Sequence, residues 1–426
     1  MLYWIWLSLS LRIGSKSFKK LLSRGLSPEE IYRLDEESIT EIIGTRTKDA
    51  QNLLNKDTKR AEEILNFCTS KGVGILTYSD EKYPRTLKEI ENPPVLLYYR
   101  GVLPSFNSMT AISVVGSRTV SDYGRRFAFE ISRALSLSGA LIVSGMAFGI
   151  DGISHAAALS ADAPTVAIIG SGIDVCYPIQ HRTLAKNIVK GGCVLTEYPP
   201  GVKPERYNFP MRNRIIAALS HATVLIEGSE KSGALITAGY AKDFSRKVYA
   251  LPANIGKRGS EAPILAIKNG ATPISSYVDI ISDFERTEYP LNPFKASSYK
   301  DVDINSVLTQ YSVVATAPSD NVFNPSHRET KREEKAQNQP LPFGFDVEMK
   351  TDSPSTLHAD KEEDSRLCRL DKVTSALYSK IPKGEAVFVE SLVSDGIELP
   401  KIMSSLLRLE VLGLVTMLPG DRVKRV

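Results

Sequence analysis

The sequence predicts an α/β fold whose centre is a parallel sheet with helices on both faces. Two features of the chain point there. Between residues 110 and 284, short apolar runs alternate with helical patterns, the rhythm of a parallel sheet covered on both sides. Four of those runs also stop at a small residue where a helix-start signal follows. They are Ala111-Ile-Ser-Val-Val-Gly116-Ser117-Arg118, Leu141-Ile-Val-Ser144-Gly145, Val166-Ala-Ile-Ile-Gly170-Ser-Gly172 and Val224-Leu-Ile-Glu227-Gly228-Ser229. A run closing on glycine at a helix N-terminus offers bare N–H groups and a positive dipole end. Right-handed crossovers gather such ends on one side of the sheet. The expected product is a single anion-binding crest, suited to a polyanion.

Taken in chain order, the first stretch, Met1-Leu-Tyr-Trp-Ile-Trp-Leu-Ser-Leu, reads as a buried helix. It is too short to span a membrane and lacks the basic leader and cleavage site of a secretion signal. Residues 1–70 read as a small helical domain. Ser27-Pro28-Glu29-Glu30 starts one helix, with Ser27 as N-cap, proline at the first helical position and Glu30 set for a capping box. Ile42-Ile43-Gly44-Thr45-Arg46-Thr47-Lys48 has the form of a helical-hairpin turn, which serves either phosphate contact or protein packing.

Residues 71–109 form lead-in strands and a linker, with the turn Asn92-Pro93-Pro94. In the main domain, 110–284, strands are expected near 112–116, 140–144, 165–170, 193–196, 222–227, 247–251 and 272–274. Helices are expected to begin near Ser121, Gly152, Gln180, Met211, Ser232 and Glu261. From 285 to 365 the chain becomes polar, and 324–364 carries few large apolar residues. Too little surface can be buried there to offset ordering entropy, so a disordered tether is expected. Residues 366–426 regain periodicity, with helices near 366–380, 385–394 and 400–411. A hairpin from Leu414 to Val426 follows, which suggests a winged-helix-like domain.

At 426 residues the chain has room for two or three domains. Its net charge of +4 is too small to announce nucleic acid, so a basic surface must come from local clustering. Cys68, Cys176, Cys193 and Cys368 lie far apart, without a CxxC or Cys/His cluster. That spacing favours reduced thiols in a cytoplasm and argues against a metal site.

The chemistry concentrates in three places. Gly116-Ser117-Arg118 ends the first strand, where small residues admit a phosphate and Arg118 can bind it bidentately. Arg206, Arg212 and Arg214 crowd around Phe209 and Asn213. Guanidinium groups beside an aromatic ring suit a single strand, with bases on the ring and phosphates on the cations. Phe209 can instead be a core ring, and Arg214, next to the apolar Ile215-Ile216-Ala217, can sit in an internal salt bridge. Lys231-Ser232-Gly233 opens a helix, with Ser232 as N-cap and Lys231 as a point charge for a phosphate. Asp151 and Asp174 read as turn-fixing or helix-start carboxylates and His155 as a structural hydrogen-bonder. Neither a triad nor a paired-carboxylate spacing calls for catalysis, and a GxGxxG fingerprint for NAD is missing. The chain therefore reads as a non-enzyme without a cofactor.

The ordered set resembles one family. It comprises Val115-Gly116-Ser117-Arg118, Val143-Ser144-Gly145 with Gly149-Ile150-Asp151 and His155, and Gly170-Ser-Gly172-Ile-Asp174 with Tyr177-Pro178. Thr196-Glu197-Tyr198-Pro199-Pro200-Gly201, Phe209-Pro-Met-Arg212-Asn213-Arg214-Ile-Ile-Ala217 and Lys231-Ser232-Gly233-Ala-Leu-Ile-Thr237-Ala238 complete it. These motifs are similar to those of the DNA-processing protein A (DprA/Smf) family. The resemblance implies an extended Rossmann-like domain at 110–284, a SAM-like helical domain at 1–70 and a winged helix at 366–426. It also implies a homodimer that binds single-stranded DNA and loads a RecA-type recombinase during natural transformation. In the family, an aromatic at the place of Phe209 receives a base, and a basic residue at the place of Arg206 grips the backbone.

The chain departs from the family pattern at several points. Phe148 and Met211 stand where arginine is frequent, Pro252-Ala253-Asn254 lacks a common glycine, and Gly259-Ser260-Glu261-Ala262 lacks the usual asparagine. Two other readings compete. A nucleotide hydrolase of the phosphoribohydrolase type would carry a Pro-Gly-Gly-x-Gly-Thr loop where this chain has Glu227-Gly228-Ser229-Glu230-Lys231. A duplex-DNA regulator would need a more cationic recognition helix than Pro400–Glu410, which has only Lys401 and Arg408.

Overall fold

The computed structural model describes residues 1–44, 47–294 and 302–314. In the C-terminal part it describes 377–382, 386–388, 392, 405–406, 409, 414–418 and 422–425. Those up to Val314 belong to one unit and those from Leu377 onward to a second.

The first unit is organised by a nine-stranded sheet. Its strands are β1 (Gly74–Thr77), β2 (Leu96–Gly101), β3 (Ala111–Val115), β4 (Leu141–Ser144), β5 (Thr165–Ile168), β6 (Cys193–Thr196), β7 (Ala222–Leu225), β8 (Lys247–Ala250) and β9 (Thr272–Pro273). The spatial order is β1-β2-β6-β5-β4-β3-β7-β8-β9. All seven strands expected between 110 and 284 are present, and β3 through β9 pair in parallel. Every residue of β3, β4, β5, β6 and β7 is buried, the continuous apolar reading that two covered faces impose. Helices begin at Asp122, Ile150, Arg182, Asn208, Gly233 and Glu261, each within three residues of its expected start.

The lead-in strands are present and belong to the main sheet. β2 pairs antiparallel with β6, Tyr98 opposite Thr196, and β1 pairs with β2, so residues 74–101 extend the sheet by two strands. The N-terminal helices lack a core of their own. Ile5, Trp6, Leu7, Phe18 and Leu21 pack in one cluster with Tyr98, Ala167, Ile169, Leu184 and Val194. The first helix, Leu2–Ser10, buries Ile5, Trp6, Leu7 and Ser10 and half-buries the rest, and the Ser27 capping box is formed, Glu30 accepting from the Ser27 amide at 2.8 Å. In the hairpin turn after Ile43, Gly44 takes φ +91°, while Thr45 and Arg46 lie outside the described residues.

Part of the span expected as tether, residues 302–314, belongs to the first unit. Residues 302–314 contain the helix Ile304–Gln310, whose Val307 and Leu308 are buried against the sheet's helical cover. The Val314 carbonyl accepts from the Gly149 N–H at 3.0 Å, and the Val314 N–H donates to His181 Nε2 at 3.1 Å. A few apolar side chains suffice to seat this stretch once the surface they meet is apolar. Residues 315–365, the bulk of the expected tether, lie outside the described set.

In the second unit, β10 (Ala386–Phe388), β11 (Val415–Leu418) and β12 (Arg422–Arg425) form a sheet in the order β10-β12-β11. The terminal hairpin is present as β11 and β12, Met417 opposite Val423. Ala386–Phe388 is a strand rather than the start of the helix expected near 385–394, because it pairs with β12. Of the other two expected helices, Leu377–Lys380, Ser405, Leu406 and Leu409 are described and helical. Among the described residues, no helix is long and apolar enough to cross a membrane.

Candidate nucleic-acid interface

The carboxyl ends of β6, β5, β4, β3 and β7 lie side by side, so the loops after them share one edge of the sheet. Arg118 follows β3. Lys231 follows β7, the neighbour of β3. Arg206 lies between β6 and the helix Asn208–Leu219, and Phe209 stands in the first turn of that helix. The three cations therefore meet on the same side.

Arg118 is exposed, and its guanidinium carbon stands 5.5 Å from the centre of the half-buried Phe209 ring. The loop that carries it is folded on itself. The Ser117 hydroxyl donates to the Thr119 carbonyl at 2.6 Å and accepts the Thr119 N–H at 3.1 Å. Gly116 serves packing rather than phosphate approach: a Cβ there would run into Ile150 and the Glu227 carbonyl.

Phe209, Arg212 and Asn213 share one face of their helix, at spacings of three and four. The ring has Tyr177 on another side, centroids 5.6 Å apart, and the Arg212 guanidinium at 5.9 Å. Arg212 itself is buried, a correction to its expected contact with DNA. Its Nη1 donates to the carbonyls of Gly145, at 2.7 Å, and Ile168, so it ties together the ends of β4 and β5. A Cβ on Gly145 would collide with this guanidinium, which explains the glycine. Burial lowers the Arg212 pKa to about 10 against the opposing pull of Asp151, so it stays charged at neutral pH. Asp151 is itself pushed up by burial, and its Oδ2 accepts the Ala147 N–H at 3.3 Å.

Arg214 is the second correction. It is fully buried, paired with Glu197, and its Nη1 donates to the Asn92 carbonyl at 2.8 Å. Burial raises the Glu197 pKa while Arg214 opposes the rise. The Asn92 amide in turn donates to the Gly14 carbonyl at 3.2 Å, so this arginine fastens the N-terminal region to the sheet. Asn213 is half-buried and donates to the Gly233 carbonyl at 3.2 Å, which locks the next helix start in place. Arg206, Lys231 and Gly233 are exposed. Ser232 occupies the N-cap position of the helix Gly233–Asp243 but makes no side-chain cap, because its hydroxyl is turned toward Gly228.

The expected row of bare amides is mostly closed from within. Gly149 donates to Val314, Ile150 to Ser117, Gly172 to Val202 and Gly228 to Gly259, at 2.8–3.1 Å. Asp174 accepts from the Gly201 N–H at 2.9 Å, the turn-fixing role read for it. His155 is buried against Thr165 Oγ1 at 2.7 Å, and burial drives its pKa down to about 3, so it is a neutral structural group. The cationic grip on this edge comes from side chains.

Three residues of this region were not singled out as binding residues. Tyr177 supports Phe209, and Tyr207, two residues before Phe209, is 66% exposed. Glu227 is buried at the end of β7, and its only signal in the chain was a lone charge closing an apolar run. Among the described residues, no group of three or more His, Cys, Asp or Glu could hold a metal ion.

Residues 74–285 match the family described as DNA recombination-mediator protein A. The DNA processing protein DprA of Bacillus subtilis is 37% identical over 223 residues, which are 52% of this chain and 75% of that protein. The chain belongs to this family. Protein Smf of Synechocystis is 46% identical over 204 residues, 47% of this chain but only 51% of that protein's length. The X-ray structure of DNA processing protein A from Streptococcus pneumoniae superposes with a TM-score of 0.60 at 31% identity. That likeness covers 67% of this chain and 99% of the other, so the extended Rossmann-like core is a shared fold.

Proposed function

We propose that this edge binds single-stranded DNA without cutting it, and that the protein, as a cytoplasmic homodimer, hands the strand to a RecA-type recombinase in recombination and natural transformation. The observation that carries the reading is the exposed Arg118 guanidinium 5.5 Å above the Phe209 ring. An exposed cation over a ring offers a phosphate contact and a base platform within one nucleotide's reach. Arg206, Lys231, Ser117, Ser232 and Gly233 line the path, with Asn213 holding one helix start beside it and Gly116 packed beneath. Arg212 and Arg214 brace the edge from inside. The description of the family as recombination mediators supports the recombinase partner, since mediation requires both a DNA strand and the protein placed on it. A dimer holding the strand would raise the local concentration of that partner and make nucleation a local event.

Competition among oligo-dT, poly-dT and duplex for the whole protein, with sedimentation to fix stoichiometry, tests the binding. Single strands should displace duplex strongly at two protomers per complex. Equal competition by duplex would refute the reading. Recombinase loading is read separately, as an earlier start of strand exchange on single strands pre-coated with a single-strand-binding protein.

A further inference from the structure

The strand order reverses beside β3, which has β4 on one side and β7 on the other. In open α/β sheets the crevice outside such a switch point is where a nucleotide docks, its phosphate against the N-terminus of the first helix. Here that helix is Asp122–Leu137, sixteen residues long, and its N-terminus already has an anion. Glu227, two residues beyond β7, is only 5% exposed. One of its carboxylate oxygens accepts the Ser121 N–H at 3.0 Å, and the other accepts the Ser121 hydroxyl at 2.7 Å. That hydroxyl in turn accepts the Gly124 N–H at 3.0 Å, completing the cap.

The surroundings are cut to fit the carboxylate. A Cβ on Gly124, in the first turn of the helix, would run into it. Gly259 lies against the other flank of Glu227, and its carbonyl accepts the Gly228 N–H at 2.8 Å, which folds the loop after β8 over the crevice. The loop Gly116–Thr119 closes on itself through the Ser117 hydroxyl. Arg118 then points out over Phe209.

From this geometry we infer that Glu227 determines specificity: a tethered carboxylate stands where the phosphate of a free nucleotide would dock and closes the switch point to mononucleotides. The inference goes beyond the single-strand reading and does not depend on it, since it concerns the β3/β7 crevice alone.

Calorimetric titration of the full chain with AMP and, separately, with inorganic phosphate tests it. Wild-type protein should give no saturable binding at millimolar ligand. Glu227→Ala should bind AMP at least about tenfold more tightly than wild type. In that variant AMP should also slow hydrogen exchange at the amides of residues 121–124. Three outcomes overturn the inference: AMP binding by wild type as tight as by the variant, a folded variant that binds neither ligand, or binding that leaves residues 121–124 unprotected. If Glu227→Ala fails to fold, Glu227→Ser is read in the same way, and the wild-type titration alone still decides against the inference if AMP binds. Oligo-dT affinity of the wild type, measured alongside, reports separately on the single-strand reading.

Discussion

The edge of the sheet has a lip and a base that use the same chemistry for opposite ends. At the lip, Arg118, Arg206 and Lys231 are exposed, with Phe209 half-covered beside them. In the base, Arg212 and Arg214 are buried within the same short stretch of chain, their charges consumed by carbonyls and by Glu197. The exposed cations sit in loops after β3, β6 and β7, whereas both buried arginines are on the helix Asn208–Leu219. The base should therefore govern stability with little effect on binding slope, and the lip should do the reverse.

The largest effect is expected in the base. Arg214→Met leaves Glu197 buried without its partner and should cost about 3–5 kcal/mol in urea unfolding. Adding Glu197→Leu should recover most of that loss, since an apolar pair no longer strands a charge. A single variant losing less than about 1 kcal/mol would erase the distinction between base and lip.

Acid should expose the base next. His155 titrates near 6.5 when unfolded and at about 3 when folded. Between those values the unfolded chain holds the extra proton, so this contribution is complete above about pH 6.5 and is lost as pH falls toward 3. The slope is at most about 1.4 kcal/mol per pH unit for one proton. Burial lowers His181 and His221 as well, which adds to the slope, whereas Asp151, Glu197 and Glu227 are raised and oppose it. The clean readout is the difference between wild type and His155→Gln, which should have a shallower acid limb. Parallel curves would mean that His155 is already charged in the fold.

At the lip, Phe209→Ala should weaken oligo-dT binding by about 1–3 kcal/mol if a base stacks there. Equal affinities in two folded proteins would return the ring to the base. The smallest effect belongs to Arg118→Ala. It should leave the urea midpoint within about 0.5 kcal/mol of wild type and lower the salt slope by roughly 0.7, one phosphate of a single strand. An unchanged slope would remove Arg118 from the lip.

Much of the fold was legible because strand ends and helix starts are local events. Val115-Gly116, Ser144-Gly145 and Ser121 mark boundaries through turn geometry and capping, and the structure puts β3, β4 and the Asp122 helix there. Segments whose fate depends on a distant surface were less legible. Residues 302–314 look like tether until Val307 and Leu308 meet the helices of the sheet, and 74–101 look like a lead-in until β2 finds β6. The arginines failed for the same reason. In the run Arg212-Asn213-Arg214, only the helix rotation and the presence of Glu197 and Gly145 distinguish a brace from a grip.

Periodicity and glycine placement, both properties of neighbouring residues, were enough to determine the α/β class, the seven parallel strands and the edge where the chemistry gathers. Tertiary structure alone decided which cations face water, which amides are already satisfied by Val314, Val202 or Gly259, and that Glu227 fills the crevice beside β3. Those outcomes turn on burial and on partners far away in sequence, because a charge buried without a partner is costly and a hydrogen bond needs both groups in place.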